Sequence, residues 1–591
     1  MKRSEVEKKY HWDLGAMVKD ADAFEKLFTE ISDAIPKLES FKGKLGNRAD
    51  ALELFKLDGA VSEKLELIYV YSHMYKDEDA SNGAAMALSA RTDGLAAKYG
   101  AALSYVSSEL GALADDVLDG YISDPEFSDF DFMLTEVKRK KAHILSDKEE
   151  RLLAMGSEAL GATYNVAHML FDVDMKFTPV TKDGKKVKLT NESYGELLSD
   201  GDRKVRKAAF TNLYDGYRDH INTLAANYAG NVKADNFSAR ARGYGDCLES
   251  SLFTDGVPTS VYTNLIDAVN KNFEPLHRYI ALRKKLLGVK EQHMYDLYVP
   301  IVEDAEMKLP YEQACDIVKS ALAPMGDEYV GLLNRAMTEG WIDVMPNDGK
   351  RGGAYSWSSY TAHPYVLLNY APTTEDIFTI AHELGHCLHS YYSQKNQPYA
   401  KWDYRIFVAE VASICNETLL DDYLMKNVKD DNIKKYLLSL RLNRFRTTLF
   451  RQAMFAEFEY NAHKMDLEGK PLTVDSLCEM YLELNKKYYG KDVVSDDRIA
   501  YEWARIPHFY TAFYVYKYST GMTAATSVAR NILTKPDYVE TYKNKFLKAG
   551  GHKLPYDILC DAEVDLATTK PYDDAFAFFN DALDEFEKLC K

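Results

Sequence analysis

Residues 377–390 constrain this chain more tightly than any other stretch. Ile377, Phe378, Ile380, Ala381, Leu384 and Leu388 wrap a helical pattern in apolar side chains, yet the same segment carries His382, Glu383, His386 and His389. A buried imidazole needs a partner, and residues four apart share one face of a helix. His382 and His386 therefore present two nitrogens to one point, the arrangement that suits a metal ion. Glu383 lies about 100° round the helix from His382. It sits beside that point, where a carboxylate can take a proton from a water at the metal instead of ligating. Upstream, Ala371-Pro372-Thr373-Thr374-Glu375-Asp376 starts the helix with a capping threonine followed by acids in the first turn.

A catalytic zinc keeps three protein ligands and one open position. A third histidine at the close spacing HExxHxxGxxH is absent, because Cys387 and Leu388 are followed by His389 instead of glycine. His389 is read as local structure. The other solution is a carboxylate on a following helix. Residues 407–417 have a strong helical pattern with Glu410 set among apolar residues, a costly position unless the charge is paired or metal-bound. Glu410 is the candidate ligand. Glu417, seven residues on and on the same face, is placed to brace His382 or His386 from behind, and is the alternative ligand.

The rest of the chain is read as helical. Apolar residues recur at three and four over Ala21–Ile35, Ala51–Tyr71 and Ala84–Ala114. Asp183-Gly184 marks the turn of a small hairpin. A second non-helical island runs from Asp343 to Tyr370, with Gly352 and Gly353 in a turn and Pro364–Tyr370 as a strand entering the histidine-bearing helix. The expected class is mainly α with a small sheet beside that helix. Formal net charge is −18, which disfavours nucleic acid or an anionic membrane as partner. No apolar run approaches a membrane span. The seven cysteines are scattered and never form a CxxC pair, so a reducing cytoplasm is the expected location.

Toward the C-terminus, Tyr501–Tyr518 is dense in hydrogen-bond donors of the kind that stabilise an oxyanion. Tyr510, Tyr514 and Tyr518 fall four apart, as on one helical stripe; packing as core is the competing reading. Gly352 and Gly353 would let a loop approach a peptide backbone, or simply turn. The strand that includes Tyr365 is a candidate for edge pairing with an extended peptide.

Taken together, His382-Glu383-Leu384-Gly385-His386-Cys387-Leu388-His389 and Phe407–Glu417 resemble the M3 peptidases, the thimet oligopeptidase group, and within them the oligoendopeptidase F branch. Tyr10-His11-Trp12-Asp13-Leu14, Gly349–Ser356 and Arg505-Ile506-Pro507-His508-Phe509-Tyr510 extend the likeness over nearly the whole chain. The resemblance implies a large ellipsoidal zincin-type helical fold with a deep substrate channel. Residues 1–190 would contribute to its wall, and 191–591 would form the catalytic region. It implies one zinc ion per chain, short unfolded oligopeptides as substrates, and endopeptidase action with Glu383 as the proton acceptor. It also implies that a histidine and tyrosines of the C-terminal region face the reacting carbonyl. The His-to-Tyr spacing here departs from the thimet pattern, and His508, Tyr514 and Tyr510 are the candidates. The competing readings are a dipeptidyl- or carboxypeptidase on the same scaffold and a catalytically silent peptide-binding protein. Oligomeric state is not legible.

Overall fold

Local signals set the helices of the N-terminal region. The computed structural model describes residues 1–302 and 305–591. Asp20 accepts the amide of Ala23 to start α1 (Ala21–Glu39), Asn47 caps α2 (Arg48–Glu78), and Asn82 caps α3 (Gly83–Leu103). Such caps contribute about 1 kcal/mol each. The expected helix over Ala84–Ala114 is interrupted: α3 ends at Leu103 and a separate short helix spans Val106–Ala112. The other two expected helices are present and extend at both ends or at the C-terminus.

The chain divides into two compact units, each assembled from three segments. Unit 1 is Met1–Ile144, Glu306–Asn427 and Val528–Val564; unit 2 is Leu145–Ala305, Val428–Ser527 and Asp565–Lys591.

In unit 1, Phe24, Ile31, Leu54, Ile68 and their neighbours form one apolar cluster with Trp12, Tyr365 and Leu367. The last two belong to a small sheet. Strands β1 (Val180–Lys182) and β2 (Lys185–Val187) form the expected hairpin elsewhere, with Asp183 and Gly184 both at positive φ, the conformation a tight two-residue hairpin turn requires. The sheet of unit 1 contains β3 (Ile342–Asp343), β4 (Tyr355–Trp357) and β5 (Tyr365–Leu367) in the order β3-β5-β4. β5 pairs in parallel with β3 and antiparallel with β4.

β5 is thus the central strand and has no free edge. That corrects the expectation that the Tyr365 segment adds a peptide at its edge. Tyr365 is buried, and its hydroxyl donates to the Asp13 carbonyl at 2.9 Å. Strand order is a tertiary property, and β4 is an edge strand instead. Around β3 the buried Asp343 accepts from Arg3 at 2.6 and 3.2 Å and pairs with Lys350 at 2.7 Å. Burial penalises the Asp343 carboxylate, and the two cations reverse this and hold it below the usual range.

Unit 2 packs Tyr228, Phe458, Trp503 and Phe509 ring against ring. Beside them Glu502 is buried and accepts from Tyr214 (3.1 Å), Tyr481 (2.5 Å) and Arg451 (2.6 Å). Tyr214 and Tyr481 are therefore structural here, their hydroxyls sharing one buried acceptor.

Candidate metal centre

The helix with the two histidines, α4, spans Thr374–Asn396. Thr373 caps it as expected, accepting the Asp376 amide at 3.1 Å. α5 follows at Ile406–Asn427. The two helices meet almost backbone to backbone. A Cβ on Gly385 would lie 2.6 Å from Ser413 Cα and 2.8 Å from the Ala412 carbonyl oxygen, so only glycine permits this approach. Asn416 ties the pair further. Its side-chain amide donates to the Ala381 carbonyl (3.1 Å), and its oxygen accepts from the Tyr329 hydroxyl (3.0 Å). Gly385→Ala is expected to destabilise the protein by about 1–3 kcal/mol and to weaken metal binding; urea unfolding and metal titration of the purified variant check both.

This crossing brings together His382, His386 and Glu410. One nitrogen from each histidine and one carboxylate oxygen all lie within 4.8 Å of one another, and among the described residues this is the one such group of three. Both Nε2 atoms stand 3.5 Å from Glu410 Oε2. His382 Nδ1 lies 2.6 Å from Glu417 Oε1. That contact puts the ring proton on Nδ1 and leaves Nε2 as the free donor atom, the usual way an acid orients a ligating imidazole. The Ser413 hydroxyl donates to Glu410 Oε2 at 2.9 Å. Two imidazoles and one carboxylate fit a zinc ion with an open position.

Glu410 differs from expectation in one respect. Val408, Ala409 and Val411 around it are buried, but its own side chain is 47% exposed. The carboxylate is reachable from solvent, whereas the Glu417 side chain is only 11% exposed. Burial pushes the Glu410 carboxyl up, and the hydrogen bond from His386 and the two imidazole charges bring it down to about 2. Burial lowers the His382 imidazole; its hydrogen bond to Glu417 and that carboxylate's charge leave it raised. Glu383 is buried, and burial holds its carboxyl above the usual range despite both histidines. That is the direction a proton acceptor needs. His389 is buried between Tyr404 and Phe546, with its ring centroid 3.7 Å from that of Tyr404, in keeping with a packing role.

The C-terminal donors belong to unit 2, and the expected single stripe is not there. Tyr510 ends a short 3-10 turn, Pro507–Tyr510. Phe513 has φ +54, and a new helix, α6, starts only at Tyr516 and runs to Thr534. The left-handed residue breaks the helical register. Tyr510 turns to Asn227, whose amide donates to its hydroxyl at 3.2 Å. His508, Tyr514 and Tyr518 do cluster. The His508 and Tyr514 rings stack at 5.8 Å, and the Tyr518 hydroxyl lies 3.2 Å from His508 Nε2. Tyr518, four residues on from Tyr514 in the sequence, is the third member of this cluster. Gly353 takes φ +81 at a turn, and a Cβ there or on Gly352 would meet nothing within 4 Å. Backbone conformation, not close packing, accounts for Gly353.

The sequence model described as Peptidase family M3 matches residues 196–578, and one described as Oligopeptidase F matches 109–177. The chain is 41% identical to Oligopeptidase PepF of Bacillus subtilis over 99% of its own length and 88% of that protein. It is 38% identical to Group B oligopeptidase PepB of Streptococcus agalactiae, over 99% of this chain and 98% of that one. A solved structure of oligoendopeptidase-F from Enterococcus faecium superposes with a TM-score of 0.73 at 34% identity, covering 96% of this chain and 99% of that one. A solved chain from Chlamydophila abortus gives a TM-score of 0.95 at 34% identity, covering 100% and 99%.

Proposed function

The chain belongs to peptidase family M3, and from that membership we propose that it is a zinc-dependent endopeptidase hydrolysing internal bonds of short, unfolded oligopeptides. That it is a metallopeptidase follows from the family and from relatives named as oligopeptidases. The observation carrying the finer reading is the convergence of His382, His386 and Glu410 on one point beside Glu383. His382, His386 and Glu410 would hold the ion. When bound, zinc supplies a Lewis acid that polarises the scissile carbonyl and acidifies water.

The chain's own groups do the rest. Glu417 fixes the His382 ring through Nδ1. Glu383, held above the usual carboxylate range by burial, takes the proton of the attacking water and returns it to the leaving amine. His508, Tyr514 and Tyr518 are the donors assigned to the oxyanion, and Tyr510 takes a structural part. The edge strand β4 is the place for an extended peptide to pair. No helix among the described residues is long and apolar enough to cross a membrane. We assign the protein to the cytoplasm, where its cysteines would stay reduced.

One assay tests this reading. A fluorescence-quenched oligopeptide blocked at both ends is incubated with the enzyme, with and without a chelator. Cleavage is expected at an internal bond, lost with chelator and restored by stoichiometric zinc. Undiminished cleavage in chelator rejects the metal centre, and cleavage confined to peptides with a free terminus rejects endopeptidase action.

A further inference from the structure

In unit 2, the helix Arg451–Leu467 carries a carboxylate that the chemistry above does not use. Glu459 is fully buried. Its Oε1 accepts the backbone amide of Phe513 at 2.8 Å, while Oε2 is buried with no hydrogen-bond partner among the described residues. Phe513 is the residue at φ +54, a conformation that a bulky aromatic side chain adopts only under constraint. Its ring is held on two sides, by His463 at 4.7 Å and by Tyr262 at 5.3 Å. Tyr514 follows directly, and with it the His508–Tyr514–Tyr518 cluster.

We propose that Glu459 is a positioning residue for the reaction: by holding the Phe513 amide it fixes the left-handed turn that aims Tyr514 and, with it, the donor cluster. This rests on the assignment of those donors to the oxyanion. Burial holds the Glu459 carboxyl high, to about 8, against the opposing influence of His463 and the Phe513 amide. Oε1 is the oxygen that accepts the Phe513 amide, so what matters is where that oxygen sits. An amide oxygen on a side chain of equal length serves as well, and a shorter carboxylate does not reach.

The test compares Glu459→Gln with Glu459→Asp, both mild enough to fold, with far-UV circular dichroism and zinc content measured on each. Glu459→Gln is expected to keep kcat within about 3-fold. Glu459→Asp is expected to lose about 10- to 100-fold in kcat, the scale of a small misplacement of reacting groups, with KM and zinc content unchanged. In a Tyr514→Phe background the Asp substitution should cost much less, because the clamp acts through that residue. The reverse order, with Asp near wild type and Gln impaired, overturns the proposal, as does an equal loss in both backgrounds. Tyr514→Phe with full kcat would instead remove Tyr514 from the oxyanion, a failure of the functional reading that the Gln and Asp ranking does not share.

Discussion

Glu383→Gln is expected to retain one zinc per chain and to lose about 10²- to 10⁴-fold in kcat. The amide has nearly the shape of the carboxylate, so packing at this buried position survives, but it cannot take a proton. His382, His386 and Glu410 are untouched, and metal content measured by elemental analysis should stay at the wild-type level. Glu383→Ala should behave alike in turnover. Because the lost interaction belongs to the transition state, kcat and kcat/KM should fall together with KM little changed. Turnover within about 10-fold of wild type in either variant would remove Glu383 from the proton-accepting role.

Glu410→Ala is the second large effect, and it takes the opposite form. Removing the carboxylate leaves two imidazoles, one short of the three protein ligands of a catalytic zinc. The variant should purify with little zinc and show activity only at high added metal, if at all. Zinc stabilises the folded state in proportion to its binding, so the rise in Tm on adding zinc should shrink as well. Full zinc occupancy in Glu410→Ala would transfer the ligand role to Glu417, which already touches His382. The two variants thus separate proton transfer from metal binding on residues of facing helices.

Much of this centre is legible in the sequence. The four-residue spacing of His382 and His386 and the Thr373 cap are local properties, and local properties can be read from sequence. Glu410 was legible as an acid in an apolar pattern, although the side chain proved half exposed. Three features are not legible. Gly385 looks like an ordinary helix-interior glycine, and its necessity appears only when Ser413 is found against it. Phe513 carries no turn signal at all. Nothing in an aromatic residue announces a positive φ, so the even spacing of Tyr510, Tyr514 and Tyr518 passed for one helix. Tyr365 failed for a related reason: a strand's periodicity says nothing about whether it lies at the edge or the centre of its sheet.

The segmental make-up of the two units bears on how the molecule is made. Six stretches alternate between them, and unit 1 lacks a piece until residue 564 has been synthesised. A nascent chain therefore cannot complete one unit and then begin the other, as domains strung in series do on the ribosome. Both cores await partners far along the chain, a topology that favours slow folding and long exposure of apolar surface. The exception is the helix pair that carries His382, His386 and Glu410. α4 and α5 lie together within residues 306–427, so their crossing at Gly385 needs no later segment. A nascent chain of that length already holds His382, Glu383, His386, Glu410 and Glu417, and metal captured at that stage would act as an early staple for the rest.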